Sequence, residues 1–145
     1  MTHSIQLIDN PDMSLRDAIV TPLVTFNVRQ TGIDDFRPLA LTIADDAGAV
    51  VGGLWGRTMM GWLFVELLFV PEALRGQGIG TELLRRAEGE AVSRGCHHVW
   101  LDTFEFQARG FYERLGYRVF GELQDYPPGF SRYFMQKALG AAAPI

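Results

Sequence analysis

Cysteine is almost absent from this chain: Cys96 is the only one among 145 residues. A single cysteine cannot form a disulfide within the chain, so the sequence excludes a small fold stapled by disulfides. The length suits one ordinary domain, and with 48% hydrophobic residues that domain can bury a core without disulfides or metals. A lone thiol suits a reducing compartment, and we expect a cytoplasmic protein.

Long apolar runs and an excess of basic residues are also missing. No stretch approaches the roughly 20 apolar residues of a membrane-spanning helix, and the first residues carry no pattern typical of an export signal. The formal net charge of −4 argues against a large basic surface that binds nucleic acid, and it mildly favours cationic partners. We therefore expect neither a membrane nor a nucleic acid as partner.

Metal-binding residues are not grouped in the sequence. Cys96, His97 and His98 are consecutive, but neighbouring side chains on a strand point to opposite faces, and no other cluster of metal ligands exists. We predict no metal site. Cys96 also lacks a recognisable base, so we do not expect it to act as a nucleophile.

The chain shows no internal repeat, low-complexity tract or interior linker. We predict one domain over residues 1–139 and a flexible tail over residues 140–145. Residues 4–8 alternate as in a short strand. Ser14 is a candidate N-cap for a first helix, and Pro22 limits how far that helix stays regular.

A β-rich segment follows. Residues 38–44 and 49–59 flank a turn signal at residues 45–48, which predicts a hairpin. Residues 62–70 are apolar on both faces and are expected at the centre of the sheet, with Glu66 as their only charge.

The clearest helix comes after a glycine-rich loop. Its apolar residues recur at helical spacing from Ile79 onwards, and Gly95 is a natural stop. The remaining predicted elements are a strand, a short helix and two strands, at residues 98–102, 108–115, 117–123 and 132–137.

Three glycines alternate where the buried strand meets this helix: Gly76, Gly78 and Gly80. Glycine lets the backbone approach a ligand and adopt positive φ, while the first N–H groups of a helix lack partners and lie at the positive end of its dipole. The segment therefore predicts a pyrophosphate site. The alternative is a glycine turn that only permits tight packing of strand against helix.

Two other phosphate loops fit less well. A P-loop needs a lysine at the start of the helix, whereas Thr81 follows Gly80 directly. A Rossmann site is the stronger rival, because Asp102 ends a strand about 20 residues beyond the glycines, where a ribose-binding acid lies. However, the third glycine of that fingerprint is missing, and too little chain remains for a second mononucleotide half.

The glycine loop resembles the acyl-CoA signature of the GNAT superfamily: Arg or Gln, two residues, Gly, one residue, then Gly or Ala. The matching residues are Arg75, Gly78 and Gly80. A later segment resembles the family's second motif, an alanine, a tyrosine four residues on, and a glycine followed by an aromatic residue. Its matching residues are Ala108, Tyr112, Gly116 and Tyr117. The resemblance covers residues 38–138, and the earlier residues only through element order.

This resemblance implies an α/β fold with a mixed sheet: a single GNAT-like domain whose V-shaped, mostly antiparallel sheet of six to seven strands is flanked by about four helices. The strand before the glycine loop and the next strand would splay apart around the cosubstrate, acetyl-CoA. The implied acyl-CoA-binding residues are Leu68, Phe69, Val70, Arg75, Gly76, Gln77, Gly78, Ile79, Gly80, Thr81, Glu105, Ala108 and Phe111.

Two residues depart from the family pattern. Many relatives carry asparagine seven residues before the tyrosine, where this chain has Glu105. A subgroup of small GNAT proteins commonly carries histidine where this chain has Phe130.

N-acetylation needs two proton transfers. An alkyl amine with a pKa near 10.4 is protonated at pH 7, and forming the neutral nucleophile costs about 4 to 5 kcal/mol. Glu66, which the resemblance places beside the splay, is the candidate base, and partial burial would suit that role; alternatively it pairs with an arginine or faces solvent. Tyr112 holds the family's acid position, where a phenol can protonate the leaving thiolate; alternatively it is a packing aromatic.

We therefore predict an acetyl-CoA-dependent N-acetyltransferase that acts by direct attack in a ternary complex. The acceptor is an amine of a small molecule or a protein. The alternative is a non-catalytic acyl-CoA-binding module, and other acyl donors also fit the loop. A homodimer is implied only by the family. Five aromatic residues either line an acceptor pocket or, more commonly for such residues, pack in the core: Phe36, Trp55, Tyr126, Phe130 and Tyr133.

Overall fold

A computed structural model describes residues 2–140 of the chain. These residues divide into two compact units, Met1–Asp34 and Asp35–Ile145. The tail predicted at residues 140–145 lies outside the described residues except for its first residue.

The first unit contains one helix, α1 (Met13–Thr31). Its N-cap is Asp12 rather than Ser14: the Asp12 carboxylate accepts a hydrogen bond from the Ser14 backbone N–H at 3.0 Å. The helix continues through Pro22, so the predicted irregularity is wrong, although proline lacks the N–H that a helix interior uses. Residues 4–8 form no strand, because alternation becomes a strand only when a neighbouring strand supplies hydrogen bonds.

Within residues 35–140, the second unit is built on one sheet of six strands in the order β1-β2-β3-β4-β6-β5. The strands are β1 (Arg37–Ala44), β2 (Val50–Met59), β3 (Trp62–Phe69), β4 (His98–Phe104), β5 (Arg118–Leu123) and β6 (Arg132–Ala138). All neighbouring strands are antiparallel except β3 and β4, which are parallel. The mixed, mostly antiparallel sheet is confirmed.

Two helices belong to this unit, α2 (Ile79–Ser93) and α3 (Arg109–Arg114), and a short 3-10 helix (Glu72–Leu74) precedes the glycine loop. Residues 2–140 thus contain three α-helices rather than about four, because residues 13–31 form a single continuous helix. The predicted helix α2 is confirmed. Its buried side chains are Leu83, Leu84, Ala87 and Ala91.

The hairpin at residues 45–48 is confirmed. The Asp45 carboxylate accepts hydrogen bonds from the backbone N–H groups of Ala47 and Ala49, both at 2.9 Å, and Gly48 has φ +85°. A positive φ favours glycine, so both Asp45 and Gly48 suit this turn.

A β-bulge interrupts β3 at Glu66. Val65 pairs with Gly56 and Leu67 pairs with Trp55, so Glu66 has no partner on β2. An extra residue on one strand reverses the alternation of side chains beyond it. Strict alternation from Leu63 would put Val65, Leu67 and Phe69 on the same face. Leu63 and Val65 are buried, whereas Leu67 and Phe69 are 59% and 55% exposed.

β3 and β4 separate soon after they pair. Their register contains four residue pairs, from Trp62 with His98 to Val65 with Leu101, although both strands continue beyond. We call the point after Val65 and Leu101 the fork. It corresponds to the splay that the family resemblance implied.

Candidate active site

Two residues of the glycine loop have backbone angles that favour glycine. Gly76 and Gly78 have φ of +79° and +80°, and a Cβ added at either residue would meet nothing within 4 Å. Because neither residue packs against a neighbour, close packing does not explain them. Gly80 differs, since its added Cβ would lie 3.3 Å from the ring of Phe111. The packing alternative therefore accounts for Gly80, and not for Gly76 and Gly78.

The loop leaves a row of backbone donors free. Among the described residues, none of the N–H groups of residues 76–81 has a hydrogen-bond acceptor, and Glu82 is the first whose N–H is bonded, to the Gly78 carbonyl at 3.0 Å. Six consecutive donors at the start of a helix suit an anion with several oxygens. These residues, which include Gln77, Ile79 and Thr81, thus fit a pyrophosphate group.

Arg75 fastens the loop to the end of β3. Its Nε donates to the backbone carbonyl of Val70 at 2.9 Å, and its guanidinium lies 5.8 Å from the ring of Phe69. The Val70 carbonyl is therefore already engaged.

Beyond the fork, the edge of β3 that faces β4 has no strand partner within residues 2–140 from Glu66 to Phe69. Such an edge can pair with an extended ligand in the manner of an added strand. Leu68 packs against the core from this segment, as do Ala108 and Phe111 from the second motif. The ring of Phe111 also lies against Gly80, so Phe111 joins the predicted acyl-CoA-binding residues at the end of β3 and the start of α2.

Glu66 lies directly after the fork. Its side chain is 47% exposed, and its Oε1 lies 3.8 Å from Nη1 of Arg57, whose guanidinium covers the ring of Phe64. The expected partial burial is not found, and the alternative of a solvent-facing glutamate near an arginine describes it better. An exposed pair at this distance contributes roughly 0 to 1 kcal/mol, so Arg57 holds the carboxylate only weakly.

Tyr112 is buried on α3 between the rings of Phe111 and Tyr117. Burial raises the pKa of Tyr112 to about 12, and the negative charge of Asp102 adds to the rise. Its hydroxyl has no hydrogen-bond partner among the described residues. A thiolate has a reference pKa of about 8.5, so full proton transfer from Tyr112 is uphill by about 5 kcal/mol, compared with about 2 kcal/mol for an unperturbed phenol.

Glu105 joins the loop after β4 to the start of β6. Its Oε1 accepts from the Ser131 N–H at 2.8 Å, and its own N–H donates to the Ser131 carbonyl at 2.8 Å. The departure from asparagine therefore has a local structural role. The predicted contact of Glu105 with acyl-CoA stays a prediction.

Sequence reasoning missed a second carboxylate at the fork. Asp102 directly follows Leu101, and Arg132 donates to its Oδ1 from Nε at 2.9 Å and from Nη2 at 2.6 Å. From the sequence alone, Asp102 is a candidate only for a ribose-binding acid. A usable signal was present, since Glu66 and Asp102 are the charged residues that follow the buried parts of the two splayed strands.

The candidate acceptor aromatics separate into several places. Tyr126 and Phe130 lie near the end of β4, where their rings contact Phe104 and Phe106 respectively. Tyr133 instead lies under the guanidinium of Arg109 on α3. Trp55 pairs with Leu67 beyond the bulge, and Phe36 lines a separate pocket with Arg94 and Cys96.

A metal site and a nucleophilic cysteine are the other chemistries that the sequence raises. No group of three or more His, Cys, Asp and Glu side chains there can hold a metal ion. Cys96 is buried, and burial raises the pKa of its thiol. No helix in this part of the chain is long and apolar enough to cross a membrane.

Residues 13–117 match the Acetyltransferase (GNAT) family. The chain belongs to this family. An acetyltransferase of Agrobacterium fabrum is 45% identical over 131 residues, which are 90% of this chain and 96% of that protein. Blasticidin-S acetyltransferase of Streptomyces morookaense is 40% identical over 116 residues, 77% of this chain and 85% of the relative. A crystal structure of an inferred acetyltransferase from Agrobacterium tumefaciens superposes with a TM-score of 0.89 at 43% identity, covering 94% and 99% of the two chains.

This member of the GNAT family is thus an enzyme, an acetyl-CoA-dependent N-acyltransferase. The resemblance drawn from the glycine loop and the tyrosine motif is confirmed. The matched region contains the loop, the fork and Tyr112, but the roles of individual residues remain predictions.

Proposed function

We propose that this GNAT enzyme transfers an acetyl group from acetyl-CoA to a primary amine of a small molecule within a ternary complex. The observation that carries the proposal is the row of six free N–H groups at residues 76–81, next to a strand edge that leaves its parallel neighbour at the fork. The N–H groups hold the pyrophosphate, and the open edge of β3 holds the extended arm.

Each proton has a candidate partner beside the fork. Bound acetyl-CoA supplies an activated acetyl group with a good leaving thiolate. Glu66 accepts the proton that the ammonium must lose, directly or through water, because its carboxylate is accessible and only weakly paired. As the N–C bond forms and the C–S bond breaks, Tyr112 returns a proton to the sulfur.

Tyr112 is a weak acid in its buried site. With a pKa of about 12 it stays protonated over the working range, so the proton is always available. The mismatch with a thiolate makes its contribution smaller than that of an ideal acid. Positioning of the two substrates can supply roughly 7 to 11 kcal/mol, so we assign most of the rate enhancement to the loop and the fork.

A small-molecule acceptor is supported by one relative. Blasticidin-S acetyltransferase carries the name of a small-molecule substrate, and the alignment covers 85% of it. The exposed aromatic side chains near the end of β4 suit a compact organic acceptor. Protein amines are the competing acceptors.

The test is an acetyl-transfer assay that follows both the free thiol released and the mass of the amine. The panel contains blasticidin S, tyramine, and a peptide with a free N-terminus and one lysine, with a no-amine control for hydrolysis. We expect acetylation of at least one small amine and much slower acetylation of the peptide. Binding of acetyl-CoA without transfer to any of these amines, or transfer to the peptide alone, would contradict the proposal.

A further inference from the structure

The fork presents a carboxylate on each of its two strands. Val65 and Leu101 are the last pair between β3 and β4, and Glu66 and Asp102 follow them. On β4, Val99, Leu101 and Thr103 are buried, so Asp102 points to the opposite face of the sheet. Glu66 lies on that face as well, because Arg57 contacts both Glu66 and the ring of Phe64.

Asp102 is held in one orientation and keeps one oxygen free. Both hydrogen bonds from Arg132 go to Oδ1, and Oδ2 has no hydrogen-bond partner among the described residues. The Arg132 guanidinium is itself fixed by three rings, at 5.2 Å from Phe104, 4.7 Å from Tyr126 and 5.4 Å from Phe134. The Asp102 side chain is 17% exposed, so a ligand can reach it.

An ionised carboxylate oxygen only accepts hydrogen bonds, and an ammonium group only donates them. The free Oδ2 therefore suits the protonated form of an alkyl amine, with which it would form a charge-assisted hydrogen bond. Arg132 supplies rigidity, since its two donors and three rings prevent the carboxylate from turning away. Glu66 on the opposite strand is accessible to take the proton.

Four aromatic rings continue from Asp102 along the same end of the sheet. We call Phe104, Phe106, Tyr126 and Phe130 the aromatic shelf. The rings of Phe104 and Phe106 are parallel at 5.4 Å, and Phe130 meets Phe106 edge to face at 5.2 Å. Phe106, Tyr126 and Phe130 are 58%, 45% and 44% exposed.

The spacing suits a short acceptor. Asp102 and Phe104 are two residues apart on one strand and point to the same face, which places them about 7 Å apart. A ligand that bonds Asp102 through an ammonium group and carries a planar ring on a short alkyl arm can reach the end of the shelf nearest Phe104. A ligand without a ring leaves the shelf uncovered.

We propose that Asp102 binds the ammonium group of the acceptor and that the aromatic shelf binds a planar ring attached to it, which makes the acceptor class an arylalkylamine. This inference rests on the proposed acetyl transfer and names its substrate class. Asp102 binds the cationic substrate, Glu66 removes its proton, and Arg132 is a positioning residue for Asp102.

The experiment measures acetylation kinetics with tyramine as the ring-bearing probe and n-butylamine as the ring-free probe. Asp102→Asn keeps the shape of the side chain and removes its charge. Asp46→Asn makes the same charge change on the exposed hairpin turn and is the matched control. Phe106→Leu removes an exposed ring from the shelf and keeps an apolar side chain.

For wild type we expect a kcat/KM for tyramine at least tenfold above that for n-butylamine. Asp102→Asn should raise the KM for both amines on the order of 10- to 100-fold, with the KM for acetyl-CoA unchanged, because one charge-assisted hydrogen bond is lost. Phe106→Leu should raise the KM for tyramine and leave that for n-butylamine unchanged. Asp46→Asn should match wild type.

The inference is overturned if Asp102→Asn lowers only kcat, if the two probes react equally well, or if wild type binds acetyl-CoA and acetylates neither probe. The last result leaves acetyl-CoA binding intact, and failure to bind acetyl-CoA would instead overturn the proposed function. Thermal melting shows whether Asp102→Asn is folded. If it is not, Phe106→Leu decides the question, because the exposed ring is not part of the buried core.

Discussion

The buried phenol of Tyr112 predicts a specific loss of stability at alkaline pH. The folded protein raises the pKa of Tyr112 to about 12, whereas an unfolded chain keeps a pKa of about 10. Between these values the unfolded chain releases a proton that the folded protein retains, so the free energy of unfolding falls as pH rises. Below pH 10 the stabilisation is complete, and it disappears as pH passes through about 12.

The magnitude follows from the two pKa values. At pH 11 the ionised form of Tyr112 outnumbers the neutral form about tenfold in the unfolded chain. In the folded protein the neutral form outnumbers the ionised form about tenfold. The free energy of unfolding is therefore about 1.4 kcal/mol lower at pH 11 than at pH 8. Burial and then Glu88 also raise the pKa of Tyr117, so ionisation of Tyr117 likewise lowers the free energy of unfolding as pH rises. Its effect cancels when two variants that both contain Tyr117 are compared.

The assay is urea unfolding at about pH 8 and about pH 11 for wild type, Tyr112→Phe and Tyr126→Phe. Tyr126 is 45% exposed and serves as the matched control. Wild type and Tyr126→Phe should lose about 1.4 kcal/mol more than Tyr112→Phe between the two pH values. If Tyr112→Phe loses as much as wild type, Tyr112 is not the buried neutral phenol described above, and its assignment as a permanently protonated acid fails.

Two further predictions concern groups on opposite sides of the sheet. The Arg94 side chain is 12% exposed and donates hydrogen bonds to the backbone carbonyls of Arg37 and Pro38. Arg94→Met should therefore lower the free energy of unfolding by about 1 to 3 kcal/mol in urea titrations. The control Arg86→Met, at a side chain that is 66% exposed, should change it by less than about 0.5 kcal/mol. Glu66→Gln should lower kcat about 10²- to 10⁴-fold in steady-state kinetics, with the KM for acetyl-CoA unchanged. The control is Glu113→Gln, because the Glu113 carboxylate is also 47% exposed beside an arginine, and this variant should leave kcat unchanged. Equal effects in either pair would contradict the role assigned to its first member.

The elements that the sequence predicts well depend on local information. The α2 helix follows from apolar residues at helical spacing, and the β1–β2 hairpin follows from Asp45 and Gly48 in a short turn. The glycine loop is equally local, because its three alternating glycines lie within five consecutive residues, 76–80, between a strand and a helix. These features require no knowledge of which strands become neighbours.

The features that the sequence does not predict depend on register between distant segments. The bulge at Glu66 exists only relative to β2, and it decides that Leu67 and Phe69 face solvent. The hydrogen bond from Arg132 to Asp102 joins residues 30 positions apart in the sequence, on the neighbouring strands β6 and β4. Periodicity within one strand carries no information about either.

Two site residues show the same limit. The exposure of Glu66 depends on what covers the fork, and the raised pKa of Tyr112 depends on its burial and on Asp102. Sequence reasoning could place both residues through the family motif. It could not assign the solvent exposure of Glu66 or the raised pKa of Tyr112.

In the proposed function, the glycine loop binds the pyrophosphate of acetyl-CoA. Calorimetric titration with acetyl-CoA of wild type, Gly78→Leu and Gly48→Leu tests it most directly. Both glycines have positive φ and open space around the added Cβ, so each substitution costs a similar backbone strain of about 1 to 2 kcal/mol. We predict that wild type and Gly48→Leu bind acetyl-CoA, that Gly78→Leu binds at least 100-fold more weakly, and that all three stay folded. Equal binding by the two variants, or no binding by wild type, would contradict the claim.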